Sequence, residues 1–269
     1  MNFSDPYKSA MEFATNTDRN IFITGKAGTG KTTFLRNFRE QTNKQIAIVA
    51  PTGVAAINAG GTTIHSFFQL PFTPFKPTPE WQSQLISQIK MSKTRRNVIR
   101  ELEVLMIDEI SMVRADVLDA IDVVLRAIRH RRDEPFGGVQ VILIGDMHQL
   151  SPVAKTYEWS LVSDYYKSVY FFHSHVIQNY PLIHLEFDKI YRQSDYQFIK
   201  VLNEVRNNSL SVEGANLLKS RYNPNFTPTA NDHYITLTTH NYSADNINRI
   251  ELGKLTTPIH KFHAKVNGT

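Results

Sequence analysis

The 269-residue sequence contains no cysteine, which excludes disulfides and every cysteine-ligated zinc or iron–sulfur centre and leaves a reducing compartment permitted. Nor does any apolar run approach the ~18 residues that a membrane helix needs. Near the start, Asp5, Glu12 and Asp18 replace the apolar core of a signal peptide and break the acid-poor character of a transit peptide. Internal repeats and low-complexity tracts are missing as well. These absences lead to the expectation of a cytoplasmic protein, nucleoid-associated if bacterial, with no membrane partner. What remains is ordinary: apolar residues make up 41% and charged residues 20%, which suits a chain that buries a real core. Its length exceeds what one core usually organises and falls short of three full domains. The net charge of +5 fits a basic surface or a polyanionic partner equally well, so placement matters more than the sum.

β-Branched runs predict strands at Asn20–Thr24, Ile46–Ala50, Val104–Asp108, Val139–Gly145, Leu182–Phe187 and Tyr234–Thr239. Between most of them lie amphipathic stretches such as Ala115–His130, where Leu118, Ile121, Leu125 and Ile128 share one helical face. Strands apolar on both faces, alternating with helices, predict an α/β protein with a parallel sheet covered on two sides. Two segments interrupt the pattern. Phe67 to Arg100 offers prolines, aromatics that read as exposed, and a basic helix, and reads as a small insertion. After Pro181 come a strand, helices over Asp195–Arg206 and Val212–Arg221, a proline-containing loop, and a further strand and helix. The expected domains are residues 1–66 with 101–180 as a first lobe, 67–100 as the insertion, and 181–269 as a partial second lobe.

Gly25-Lys26-Ala27-Gly28-Thr29-Gly30-Lys31-Thr32 fits the G-x-x-x-x-G-K-[ST] phosphate loop, after a predicted strand and before a helix-like run. Glycines let successive backbone N–H groups turn inward around phosphates, and the helix N-terminus adds its positive dipole end. Gly25, Ala27, Gly28, Thr29, Gly30, Lys31, Thr32 and Thr33 are therefore the expected nucleotide contacts. In such a loop the lysine, Lys31, reaches the β and γ phosphates and the hydroxyl of Thr32 ligates Mg²⁺. Binding alone does not require hydrolysis. The run VLMIDEIS supplies an apolar strand ending in Asp108 and Glu109, where alternation would aim Asp108 at Mg²⁺ and Glu109 at the attacking water. A third strand end, VILIGDMHQLSPV, places Gln149 against the γ phosphate, where it can sense whether that group is present. Asp146 and His148 stand beside it, the histidine reading more readily as a turn residue than as a catalytic one. Together these motifs predict a nucleoside-triphosphatase core.

Five segments, FITGKAGTGKTTFL, APTGVAAINAGGTTIHSFF, VLMIDEISMV, FGGVQVILIGDMHQLSPV and DKIYRQSDYQFIKVLNEVR, resemble in order and spacing the Pif-type helicases of superfamily 1B, over about residues 20–207. The resemblance implies two RecA-like lobes with ATP in the cleft between them and single-stranded DNA across their tops, moved 5′ to 3′. It places Pro51, Thr52, Gly53 and Val54 on the DNA track, where backbone N–H groups and a hydroxyl can hold phosphodiesters without reading bases. Thr63, His65, Ser66 and Phe67 follow on the same track, with Phe67 as an aromatic face for a base. The insertion matches the family's small subdomain that meets the duplex junction. Its cluster of Lys90, Lys93, Arg95, Arg96 and Arg100 reads equally well as a solvated helix face. Arg126, Arg129, Arg131 and Arg132 read as charges that favour a helix dipole. Arg192 matches the family's arginine that reaches the γ phosphate across the lobe interface. Thr239, His240 and Asn241 match its DNA-backbone contacts from the second lobe.

Two departures from the family pattern stand out. No glutamine precedes the phosphate loop to read adenine, so ATP as the nucleotide rests on the resemblance. The family's last motifs do not occur before Thr269, so the sequence is expected to be an N-terminal fragment impaired in unwinding. One function is an ATP-dependent 5′-to-3′ DNA helicase, monomeric, acting on single-stranded DNA and on duplex or forked junctions. The alternative is a nucleotide-gated single-stranded DNA-binding module that unwinds nothing. A third, a phosphate-loop ATPase acting on protein partners, is disfavoured by the segment around Thr63–Phe67. Family members serve repair, recombination and telomere maintenance, and no residue chooses among these.

Overall fold

A computed structural model describes residues 5–189, 191, 195–226, 234–258 and 260–263. The apolar runs become six strands, β1 (Ile21–Gly25), β2 (Ile46–Ala50), β3 (Thr62–Thr63), β4 (Val104–Ile107), β5 (Gln140–Ile144) and β6 (Ile183–Phe187). They form one parallel sheet in the order β3-β2-β4-β5-β1-β6. Every residue of β4 and β5 is buried, because helices cover both faces of a sheet whose parallel crossovers must run over it. The two-residue period sorts the side chains. Val104 and Met106 enter one core with Phe34, Phe38 and Ile142, while Leu105 and Ile107 enter the other with Leu118, Ile121 and Leu143.

The helices α1 (Pro6–Asn16), α2 (Lys31–Gln41) and α3 (Gly53–Ala59) contribute Ala10, Ala14, Phe34, Leu35, Phe38 and Ala59 to the first core. The helices α4 (Ile64–Phe68), α5 (Pro79–Gln88), α6 (Lys93–Glu101) and α7 (Ala115–Arg129) contribute to the second. Along α7, Asp116, Asp119 and Asp122 are buried at helical spacing and each accepts backbone N–H groups from a different segment. Asp116 takes Phe75 at 3.0 Å, Asp119 takes His175 and Val176 at 2.9 Å each, and Asp122 takes Phe136 at 2.5 Å. Such carboxylates fasten loops that have no ladder of their own.

The insertion shares this core: Phe68, Leu70, Phe75, Leu85, Ile89 and Ile99 pack in one cluster with Leu105, Leu118 and Ile121. Phe75, expected to be exposed, is thus a core residue, and Trp81 is half-buried with Lys76 Nζ over its ring at 5.3 Å. The basic cluster divides. Lys90, Lys93, Arg96 and Arg100 are exposed, whereas Arg95 donates to the Ser66 carbonyl at 2.7 Å. Arg129 does more than favour a dipole: its guanidinium donates to the carbonyls of Arg100 (2.6 Å), Leu102 (2.7 Å), Ile99 (3.1 Å) and Gly137 (2.7 Å). It satisfies acceptors that the end of α6 leaves unpaired.

Three short helices complete the first compact unit, which runs to Leu210: α8 (Thr156–Ser160), α9 (His175–Asn179) and α10 (Tyr196–Arg206). The run at 182–187, expected to open a second lobe, is instead β6, paired with β1 from Ile21 opposite Ile183 to Gly25 opposite Phe187. The strand expected to begin the second lobe thus belongs to the sheet of the first compact unit. A second unit, Ser211–Thr269, contains α11 (Val212–Ser220) and α12 (Asn241–Gly253). Tyr234–Thr239, expected as a strand, forms none, since no strand among the described residues of that unit offers it a ladder. Among the described residues no helix is long and apolar enough to cross a membrane.

Candidate functional site

Strand order decides which loops become neighbours. At the carboxyl end of the sheet the loops after β2, β4, β5 and β1 lie side by side. They carry in turn Pro51–Thr52, Asp108–Glu109, Asp146–Gln149 and the Gly25–Thr32 loop. Segments scattered over 125 residues of chain thus share one edge, where parallel α/β sheets bind ligands.

Within the phosphate loop, Gly25 has φ +149°, and a Cβ there would run into the Phe187 carbonyl oxygen of β6. Gly30 caps α2 in the left-handed region, φ +95°. Ala27 is exposed, Gly28 half-buried and Thr29 buried, its hydroxyl donating to the Lys26 carbonyl at 2.9 Å. Thr32 and Thr33 occupy the first turn of α2, Thr32 half-buried and Thr33 exposed. Lys31 Nζ donates to the carbonyls of Gly25 (2.6 Å) and Lys26 (3.0 Å). Burial lowers its pKa despite the carboxylates of Asp146, Glu109 and Asp108 around it. An ammonium held back on its own loop has donors to turn onto a phosphate.

The strand expected to carry the acidic pair stops at Ile107, one residue short. Glu109 sits in a left-handed conformation, φ +52° and ψ +44°, which a non-glycine residue adopts at a cost. Asp108 Oδ1 accepts the Glu109 N–H at 3.0 Å. Burial raises the pKa of both, and the neighbouring Asp108 charge raises Glu109 further. A carboxylate raised in this way suits proton acceptance. The hydroxyl of Thr32 and the carboxylate of Asp108 are hard oxygen donors, which fits Mg²⁺ bound chiefly through phosphates. Among the described residues no group of three histidine, aspartate or glutamate side chains is placed to hold a metal by itself.

Asp146, buried at 1% exposure, organises the loop after β5. It accepts the His148 N–H at 3.1 Å and the Gln149 side-chain amide at 3.1 Å. His148 is exposed, as a turn residue would be. Sequence reading passed over two residues near this edge. Arg206 reaches Asp146 at 2.5 Å, and Tyr191 donates its backbone N–H to the Gly28 carbonyl at 2.8 Å, its ring lying 3.9 Å from where a Gly30 Cβ would stand. Arg192 lies outside the described residues.

The candidates for a polynucleotide track occupy the β2 side of the same edge. Thr52 caps α3 by accepting the Ala55 N–H at 3.2 Å, and Thr63 caps α4 by accepting the Ser66 N–H at 3.3 Å. Gly53, Val54 and Ser66 are exposed, and Pro51 is half-buried. Phe67 packs edge-on against Phe68 at 4.9 Å and against the core, so it offers less open face than expected. An exposed aromatic beside it is Phe72, stacked on His65 at 5.0 Å with planes 13° apart. A cavity of about 730 Å³ opens between this edge and the insertion, lined among others by Thr52, His65, Phe72, Phe75, Trp81 and Arg114. In the second unit, Thr239 and His240 are hydrogen-bonded to each other at 2.8 Å and exposed, beside Asn241 at the start of α12.

The chain as a whole is similar to several known proteins. A family model described as PIF1-like helicase matches residues 5–215. The ATP-dependent DNA helicase RRM3 of Saccharomyces cerevisiae is 36% identical over 206 residues, covering 75% of this chain and 27% of that protein. A crystal structure of the Pif1 helicase from Bacteroides in complex with ADP-AlF3 and single-stranded DNA superposes with a TM-score of 0.86 at 39% identity, over 96% of this chain and 58% of that one. A chain from a structure of two coordinating Pif1 helicases unwinding forked double-stranded DNA superposes with a TM-score of 0.84 at 39% identity, over 94% and 59%. The first unit is accordingly a RecA-like phosphate-loop NTPase lobe. The chain spans about a quarter of the yeast helicase and under three fifths of the Bacteroides chain.

Proposed function

The chain belongs to the PIF1-like helicase family, and from that premise we propose that it binds and hydrolyses ATP with Mg²⁺ and uses the cycle to move 5′ to 3′ along single-stranded DNA. The observation that carries this reading is the shared edge: the phosphate loop, the Asp108–Glu109 pair and Gln149 follow adjacent strands, next to Pro51–Val54. Occupancy of the first group can therefore alter the grip of the second through a few residues of backbone.

In this reading Lys31 turns from the Gly25 and Lys26 carbonyls to the β and γ phosphates, and the loop's backbone N–H groups bind the phosphate oxygens. Glu109 orients the attacking water and accepts its proton, which its raised pKa favours. Gln149 contacts the γ phosphate, and Arg192 adds charge to it. Mg²⁺, held by Thr32 and Asp108, supplies charge neutralisation between the phosphates when bound. Thr52, Thr63, His65 and Ser66 hold the DNA backbone, joined by Thr239, His240 and Asn241 from the second unit. The forked-DNA complex of a similar chain supports junctions as substrates, met by the insertion. We further take the chain as a cytoplasmic monomer serving repair, recombination or telomere maintenance.

The deciding experiment measures ATP hydrolysis by this chain with and without single-stranded DNA, together with unwinding of a 5′-tailed duplex. Stimulation by single strands supports the motor reading. Salt-dependent binding without stimulation selects a nucleotide-gated binding module instead.

A further inference from the structure

One charged residue at the phosphate edge comes from outside the sheet loops. Arg206, the last residue of α10, lies 60 residues from Asp146 in sequence and donates Nη1 to its Oδ2 at 2.5 Å. The side chains of the pair are 18% and 1% exposed, so this is no solvated ion pair. A carboxylate so deeply buried is costly unless its charge is matched and its lone pairs are used. Burial alone would raise the Asp146 pKa, but hydrogen bonds from Arg206, His148 and Gln149 turn the net direction downward, and the group stays ionised.

The same oxygen, Oδ2, also accepts Nε2 of Gln149 at 3.1 Å. Two donors therefore share one carboxylate oxygen, and they differ in strength, since a charge-assisted bond from arginine exceeds one from a neutral amide. If Gln149 is to leave Asp146 and meet a γ phosphate, the carboxylate must remain compensated, and Arg206 provides that. Remove the guanidinium, and the buried charge holds the glutamine amide as its remaining strong side-chain donor.

We propose that Arg206 is a positioning residue for sensing the third phosphate: by matching Asp146 it releases Gln149 for the nucleotide and ties that event to α10, whose chain continues into the second unit at Ser211. This rests on the ATPase reading above.

The test is a titration of this chain with ADP and with a non-hydrolysable ATP analogue. Arg206→Ala is expected to keep ADP affinity and to reduce the preference for the analogue about tenfold, the scale of one charge-assisted hydrogen bond. Arg206→Lys, which keeps the charge, retains most of the preference. Gln149→Ala loses it to the same extent, and the double variant loses no more than either single one. Additive losses, or equal weakening of ADP and analogue by Arg206→Ala, overturn the proposal, as does a wild-type chain with no analogue preference. If the alanine variant fails to fold, Arg206→Gln is titrated in its place against the same outcomes. A wild-type chain that prefers the analogue yet never hydrolyses ATP refutes the motor reading and leaves this result legible.

Discussion

Glu109 donates its backbone N–H to the side chain of the residue before it, Asp108, across a left-handed turn. That bond engages one carboxylate oxygen of Asp108, while burial and the Asp108 charge act together on the carboxyl of Glu109.

The first prediction concerns the pH dependence of turnover. A proton acceptor works only when ionised, and Glu109 is raised above its ordinary 4.5 by burial and by Asp108. Hydrolysis should therefore fall as pH drops through a midpoint above that value. In Glu109→Gln the rate should fall by about 10²–10⁴ and lose this acid limb, with nucleotide affinity unchanged. A pH profile of kcat for both proteins measures it.

Lys31→Ala should abolish hydrolysis and weaken triphosphate binding while the melting temperature stays close to that of the parent. The hydrogen bonds of the ammonium go to the Gly25 and Lys26 carbonyls of its own loop, so what the variant loses lies within one loop. Turnover persisting in this variant would move the site elsewhere.

Gly25→Ala should impair both folding and nucleotide binding. A methyl there runs into the Phe187 carbonyl oxygen and comes within 2.7 Å of the Thr29 hydroxyl, so either β6 shifts or the loop opens. With a backbone atom in the way the cost cannot be relieved by a rotamer change, and an expected destabilisation of about 1–3 kcal/mol is readable by urea denaturation.

Arg129→Ala should destabilise the chain by about 2 kcal/mol, since it strips charged donors from carbonyls at the end of α6 and at Gly137. Lysine, with a compact head instead of a planar fork, should restore part of this. Hydrogen exchange should rise first in α6, on the insertion.

Much of the first lobe was legible because its signals are local. The run Ile46–Ala50 became β2 without change, and the glycines of the phosphate loop read as a turn because only that residue fits there. Strand alternation was expected to carry through Asp108 and Glu109, but β4 ends at Ile107 and Glu109 lies in a left-handed turn beyond it, so alternation does not apply to the pair. Phe75 reads as exposed beside prolines and is buried by α7, a helix whose approach nothing in the insertion announces. Arg206 could not be singled out, because a cation ending an amphipathic helix looks like any dipole-favouring charge until its partner is known.

By itself, the order of residues determined the five long strands of the first unit, the helices between them and the loop that could wrap a phosphate, since these depend on contacts within a few residues; it did not keep Tyr234–Thr239 from reading as a strand. Only the tertiary structure decided that β6 joins β1, that four loops meet at one edge, and that Asp146 is matched by a residue 60 positions away. Parallel strands are joined by long crossovers, so their order in the sheet is set by how helices pack over both faces and not by adjacency in the chain.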